Sequence, residues 1–291
     1  MWTHIPIMAP EIADLLLTHP AGTYVDGTLG LGGHTHYFLS KLTPQARIFG
    51  FDKDAHALHM AQERVADTRL IPCHASYTLA AQILAQHGVE AVDGALFDLG
   101  LSSYQLDDPS RGFSLLHDGP LDMRFDTAQS LTACDIVNTW PLQELERIFK
   151  DYGEEHRYAQ AAHALVAARH TAAITTTAQL KAVLRPVLGP QRGRIHPATQ
   201  IFQALRIACN QELEHVEQVT AVLVKILRPG ARGAVLTFHS LEDRLIKNSF
   251  KQLVQGGGWR LVNKHTLHPS YEEIRQNSRS RSAKLRVIER L

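Results

Sequence analysis

Tyr24-Val25-Asp26-Gly27-Thr28-Leu29-Gly30-Leu31-Gly32-Gly33-His34 is a short apolar run that breaks into a turn carrying four glycines. The pattern predicts a strand over Thr23–Asp26 feeding the turn and a helix over residues 35–42 leaving it. Glycines at such a junction let the backbone come close to a ligand, and the helix beyond aims its first amides at it. Outward from this point, β-branched or aromatic runs alternate with helix-period segments. Arg47–Asp52 and residues 69–73 and 92–99 predict strands, while Ala55–Val65 and residues 79–87 predict helices. This alternation belongs to a parallel sheet wound with helices, an α/β fold of Rossmann-like type.

Between about residues 106 and 211 the alternation stops. Leu142, Leu145, Ile148 and Phe149 share one helix face, and Leu180, Val183, Leu184 and Val187 share another. Pro197 suits the first position of a helix whose buried stripe is Ile201, Leu205 and Ala208. The expectation is an inserted helical domain over residues 107–211, within a core formed by residues 1–106 and 212–291. The α/β pattern resumes with a helix over residues 212–227 closed by Pro229-Gly230, and continues with a strand over residues 233–238. A helix over residues 241–253 and strands over residues 259–263 and 285–288 follow.

The 291 residues are 44% hydrophobic and 20% charged, a balance that supports a sizeable buried core. No stretch approaches the roughly 18 consecutive apolar residues of a membrane span, and no secretory pattern opens the chain, so a cytoplasmic location is expected. Cys73, Cys134 and Cys209 are too scattered for a disulfide framework or a Cys-x-x-Cys metal site, and no metal is expected. Charge is uneven although the net is only +1. Residues 156–211 hold seven Lys or Arg and no acid, residues 244–291 carry +8, and the remainder carries −14. Basic regions on an acidic body suit a polyanion, since phosphate contacts release counterions. Arg192, Arg194 and Arg206, in the acid-free stretch, are the candidate RNA contacts.

The glycine turn departs from the dinucleotide fingerprint. Starting at Gly30 and Gly32, the third glycine of Gly-x-Gly-x-x-Gly would fall on Thr35. Asp26 at the end of the first strand suits a zwitterionic amino acid better than a pyrophosphate, which a carboxylate repels. Asp52, ending the second strand, is placed to accept the hydroxyls of an adenosyl ribose. Tyr77 beyond the third strand can pack on an adenine, and Asp98 ends the fourth. All lie at the carboxyl edge of the sheet, where open α/β folds bind ligands. The ligand these features favour is S-adenosylmethionine, with an NAD-dependent oxidoreductase as the rival reading.

The resemblance to a known family rests on many blocks in one order. They include Asp26-Gly27-Thr28 with Gly32-Gly33-His34, Asp98-Leu99-Gly100-Leu101-Ser102-Ser103 with Gln105, and Arg111-Gly112-Phe113-Ser114. They continue through Asp118-Gly119-Pro120-Leu121-Asp122-Met123-Arg124, Tyr152-Gly153-Glu154-Glu155, His196-Pro197-Ala198-Thr199 and Phe238-His239-Ser240-Leu241-Glu242-Asp243-Arg244. In these the chain resembles the bacterial RsmH (MraW) family of 16S ribosomal RNA cytosine-N4 methyltransferases. The resemblance implies a class I methyltransferase core, a helical insertion that touches RNA, and S-adenosylmethionine as donor. It implies cofactor contacts at Gly32, Gly33, His34, Asp52, Tyr77, Asp98 and Gln105. The partner it implies is 16S ribosomal RNA or the small ribosomal subunit; a homodimer stays open. Tyr77 stands where the family commonly has Phe, and Gln200 where it has Arg after His-Pro-Ala-Thr.

Methyl transfer from a sulfonium is an in-line displacement that needs alignment and exclusion of water, not a covalent nucleophile. A hydrogen-bond acceptor on the cytosine amine makes it a better nucleophile, and Asp98, Ser102, Ser103, Asp122 and His239 are the candidates. The turn at His239 also reads as a helix start, with Ser240 as N-cap and Asp243 three residues on. A non-catalytic ribosome-assembly factor that holds RNA on the basic insertion is the second rival.

Overall fold

The computed structural model of the protein describes residues 6–190 and 196–291. It begins with α1 (Ala9–Leu16), absent from the sequence reading, whose Ala9, Ile12, Ala13 and Leu16 are buried and whose Pro10 sits in the first turn. Then β1 (Thr23–Asp26), α2 (Gly33–Leu39), β2 (Arg47–Asp52), α3 (Ala55–Val65), β3 (Leu70–His74), α4 (Ala80–Gln86) and β4 (Val92–Asp98) alternate. Six helices follow: α5 (Ser103–Asp107), α6 (Ala133–Thr139), α7 (Leu142–Asp151), α8 (Tyr158–Arg169), α9 (Thr177–Leu188) and α10 (Thr199–Asn210). The chain resumes its alternation with α11 (Glu212–Ile226), β5 (Leu227–Thr237), α12 (Ser240–Gly256), β6 (Trp259–Leu261), α13 (Tyr271–Gln276) and β7 (Lys284–Arg290). Among the described residues no helix is long and apolar enough to cross a membrane.

Two compact units result. One runs to Gly100 and resumes at Leu213; the other is Leu101–Glu212, so the second unit begins at Leu101 rather than at residue 107 and takes in α5.

The first unit is built on a seven-stranded sheet of order β3-β2-β1-β4-β5-β7-β6. Strands β1 to β5 run parallel, and β7 pairs antiparallel with β5 and with β6. Alternate side chains of each strand enter different cores, as the two-residue period requires. Val25, Phe49, Phe97 and Val235 join one cluster with Ile246 and Phe250 of α12. Tyr24, Ile48, Leu96 and Leu236 join another with Ile12 of α1 and Phe38 of α2. With both faces covered, β4 is apolar apart from Asp93, Gly94 and the terminal Asp98. The chain runs outward from β1 to β3 and then returns to β4 beside β1, so the order reverses between β1 and β4. Ligands of open α/β sheets bind at such a reversal, beyond the carboxyl ends of the strands.

Pro229-Gly230 does not close α11 outside the sheet, as the sequence suggests. Both residues lie within β5, where the register with β4 jumps from Val92↔Leu227 to Gly94↔Arg232. The extra residues of β5 form a bulge, where a missing amide and a positive φ at Gly230 are tolerated.

The second unit has its own core. Leu145, Ile148 and Phe149 of α7, Leu165 of α8, Leu180 and Leu184 of α9 and Ile201 and Leu205 of α10 are all buried in it. Capping boxes start α6 (Thr132 with Asp135) and α9 (Thr176 with Gln179), each satisfying amides the helix cannot. Helix α10 starts at Thr199, so Pro197 precedes it, in a turn where the Thr199 amide donates to the His196 carbonyl.

Candidate active site

The turn after β1 is held from beneath. Gly27 donates its amide to the Leu96 carbonyl of β4, and Gly32 caps α2 with φ +78°. A Cβ on Gly32 would lie 2.7 Å from a Val65 methyl of α3, so both the backbone conformation and the helix packing demand glycine there. Gly33 opens α2 against Pro6.

Asp26 does not face a ligand, contrary to the expectation of an acid offered to a zwitterion. It is 2% exposed, and its two oxygens accept the Thr35 hydroxyl at 2.7 Å and the Thr28 amide at 3.3 Å. The carboxylate therefore ties β1 to the glycine turn and to α2, and burial raises its pKa. Thr35, noticed in the sequence only as a missing third glycine, is the partner that fixes it. Thr28 also serves β4, because its hydroxyl accepts the Asp98 amide at 2.6 Å and so anchors the end of that strand.

Asp98 and His34 come together at the reversal point. His34 is buried, with Nε2 2.9 Å from the Ile7 carbonyl and Nδ1 3.6 Å from Asp98 Oδ2. A carbonyl only accepts, so Nε2 carries a hydrogen. The other oxygen of Asp98, Oδ1, is buried and has no hydrogen-bond partner among the described residues. Burial pushes the Asp98 carboxyl up to about 6, with His34 pulling it down and Asp26 and Glu242 pushing it further up. Asp52 is held differently: Oδ2 accepts the Gly30 amide at 2.8 Å and Oδ1 the Asp54 amide at 2.9 Å. Burial pushes its carboxyl up to about 6 against those two hydrogen bonds. Tyr77 lies in a short 3-10 turn beyond β3, buried in the core and edge-on to Phe97 at 5.1 Å.

Several sequence candidates have internal partners instead. His239, not Ser240, is the N-cap of α12. Its Nδ1 accepts the Glu242 amide at 3.5 Å, and Glu242 accepts the Phe238 amide at 2.8 Å and the His239 amide at 3.4 Å. His239 Nε2 lies 3.1 Å from Glu242 Oε1, off hydrogen-bond geometry. Asp243 is not the capping acid; it accepts from Lys284 and Arg286 of β7. In the second unit, Ser102 caps α5 in a capping box with Gln105, whose Oε1 accepts the Ser102 amide at 3.3 Å. Asp122 receives Arg124 through two bonds of 2.9 and 2.7 Å. Burial raises the Asp122 carboxyl, but the Arg124 bonds outweigh it and hold it below the ordinary range, the wrong direction for a base.

Arg206 is paired bidentately with the buried Glu212 at 2.7 and 2.8 Å, an internal partner for this candidate RNA contact. Arg192 and Arg194 lie outside the described residues. Gln200 donates to the Glu154 carbonyl at 3.1 Å, a neutral hydrogen bond at that position.

This arrangement can hold an amine or ammonium against Asp98 and a diol against Asp52, on one edge of the sheet. The description of the MraW methylase family matches residues 1–291. The "Ribosomal RNA small subunit methyltransferase H" of Elusimicrobium minutum is 54% identical over 291 residues, covering 100% of this chain and 99% of that protein. Its namesake in Thermomicrobium roseum is 44% identical over 307 residues, covering 99% and 94%. The chain belongs to the MraW methylase family.

Proposed function

We propose that the protein methylates the exocyclic N4 of a cytidine in small-subunit ribosomal RNA, in the cytoplasm, with S-adenosylmethionine as methyl donor. The observation that carries this reading is Asp98: a half-buried carboxylate at the β1/β4 reversal with one oxygen beside His34 and the other, itself buried, without a partner among the described residues. A buried acceptor with no donor is costly, and an N–H from a ligand resolves that cost. The residues therefore fit the donor, whose methionine end carries an ammonium and whose adenosine end carries a ribose diol. When bound, S-adenosylmethionine supplies a methyl group on a sulfonium, open to in-line displacement by an amine lone pair.

Each residue has a definable role in that reaction. Asp98 Oδ1 has two lone pairs and accepts one N–H from the donor's ammonium and one from the cytosine amine. His34, fixed by the Ile7 carbonyl, sets its ring beside the Asp98 carboxylate and walls that side of it. Thr28 holds the strand end from which Asp98 projects. Each Asp52 oxygen accepts one amide and keeps a further lone pair for a ribose hydroxyl. Asp26 and Thr35 stiffen the turn so that the amides leading into α2 stay in place. Among the amine-gripping candidates, Asp122 and His239 are committed to Arg124 and to the α12 cap, and Ser102 to the α5 cap. Asp98 is the group this reading retains.

The test is transfer of tritium from labelled S-adenosylmethionine to small-subunit particles, with the product nucleoside identified by mass spectrometry. N4-methylcytidine from the wild type and a loss of at least about a hundredfold in Asp98→Ala are expected, the scale of removing a group that acts in the transition state. Undiminished RNA binding with no label from the wild type would favour the assembly-factor reading and overturn this one.

A further inference from the structure

The motif His196-Pro197-Ala198-Thr199 has no part in the chemistry above, yet it borders a cavity in the second unit. That cavity, of about 380 Å³, opens between α9 and the turn before α10. This is within the size range of sites for small organic ligands. Its polar lining is entirely cationic or neutral: Lys181 and Arg185 from α9 and His196 opposite, with no carboxylate among the described lining residues. Nor does the sequence hold any Asp or Glu from residue 156 to residue 211.

The hydrogen-bonding state of each group is set by its neighbours. His196 Nδ1 accepts the Ala198 amide at 3.1 Å, so the ring hydrogen resides on Nε2, which is left as a donor. Burial and the Lys181 charge both lower the pKa of this histidine. Lys181 uses one of its three hydrogens on the Leu115 carbonyl at 2.9 Å and keeps two. Arg185 is exposed in the last turn of α9. Pro186 lies inside that helix and has no N–H to offer the carbonyl of Ala182, itself a lining residue. Leu188 and Pro197 supply half-buried apolar surface beside the cations. Cationic and neutral donors for a phosphate beside apolar surface for a base are together the complement of a nucleotide.

We propose that this cavity receives one nucleotide of the RNA strand, its phosphate held by Lys181, Arg185 and His196 Nε2–H and its base laid on Leu188 and Pro197. The proposal rests on RNA being the substrate, and makes the second unit an anchor for a nucleotide other than the one methylated. The anchored phosphate places the strand, while the methylated base is taken by the first unit.

The test measures binding of a fluorescently labelled small-subunit RNA fragment across a salt series, with S-adenosylmethionine affinity by calorimetry in parallel. Lys181→Gln with Arg185→Gln is expected to weaken RNA binding at least about tenfold and to reduce the salt slope by about two, one for each phosphate-directed cation. His196→Ala is expected to weaken binding without changing the slope, and S-adenosylmethionine affinity is expected to stay at the wild-type value throughout. Arg185→Glu, on an exposed side chain, gives a variant in which folding is not at issue and should weaken binding on its own. Lys181→Arg should restore the slope. Wild-type affinity and slope in Arg185→Glu and the double variant overturn the proposal while leaving the methyltransferase reading intact; failure of the wild type to bind RNA overturns both. Cytidine monophosphate binding that depends on Lys181 and Arg185, with RNA binding unaffected by either, marks a free-nucleotide site and also overturns it.

Discussion

Asp98 and Asp52 share a property with a measurable consequence: burial pushes both carboxyls up to about 6. In the unliganded protein the folded state holds these protons more tightly than the unfolded chain, so their contribution to stability declines as pH rises from the ordinary carboxyl range through 6. Binding has the opposite sign, because a donor carrying an ammonium and a diol needs both groups ionised. Affinity for S-adenosylmethionine is expected to be level above about pH 7 and to fall below pH 6, by up to about tenfold per unit for each group. Calorimetry from pH 5 to pH 8 checks this, and Asp98→Asn should make the fall shallower; a level profile in the wild type contradicts it. At this scale the sequence revealed acids at strand ends, since strand boundaries and residue types are local. It did not reveal that Asp26 faces inward to Thr35 while Asp98 keeps an oxygen without a described partner, because those are contacts between elements. Arg206 teaches the same lesson. A cation in an acid-free run of sequence still found Glu212, six positions on, across a helix boundary.

At the scale of the element, the start of α12 shows why a cap is hard to place from composition. Ser240 and Asp243 fit a capping pattern one residue out of register with His239 and Glu242, which the fold uses. The choice is decided by the sheet: β5 ends at Thr237, and Glu242, 1% exposed, is the acid that turns back to the Phe238 and His239 amides. Asp243 points instead to Lys284 and Arg286 on β7. Replacing Glu242 by Ala leaves those two amides without their acceptor and is expected to cost about 1–2 kcal/mol of stability. Urea unfolding of Glu242→Ala beside Glu242→Gln, which keeps an acceptor, checks it: Gln should recover a large part of the loss. Equal losses would assign the effect to charge, not to the cap.

At the scale of the molecule, the sequence showed where the α/β alternation stops and resumes, because hydrophobic period changes there from mixed to purely helical. Strand order, the antiparallel pairing of β7 and the bulge at Pro229-Gly230 are set by which surfaces meet, and no local pattern reports that. Separate cores predict separable stability. Leu205→Ala, in the core of the second unit, is expected to cost about 2–5 kcal/mol there. Amide exchange followed by mass spectrometry should show protection lost in Leu101–Glu212 and retained in β1 to β5. Loss spread evenly over both units would mean that the chain unfolds as one cooperative block.

The place of β7 in the sheet also bears on how the protein is made. The last strand in chain order lies between β5 and β6, not at an edge, and supplies Leu285, Val287 and Ile288 to the buried layers. A chain emerging from the ribosome reaches this strand only after every other element is outside, at about 5–20 residues per second. Until then β5 presents an open, apolar edge to solvent, the kind of surface on which nascent chains aggregate. The helices of the second unit, complete by Glu212, have all their partners long before that moment. Synthesis thus delivers a finished helical unit on an unfinished sheet, and the interval before Lys284 emerges is when a chaperone has most to protect.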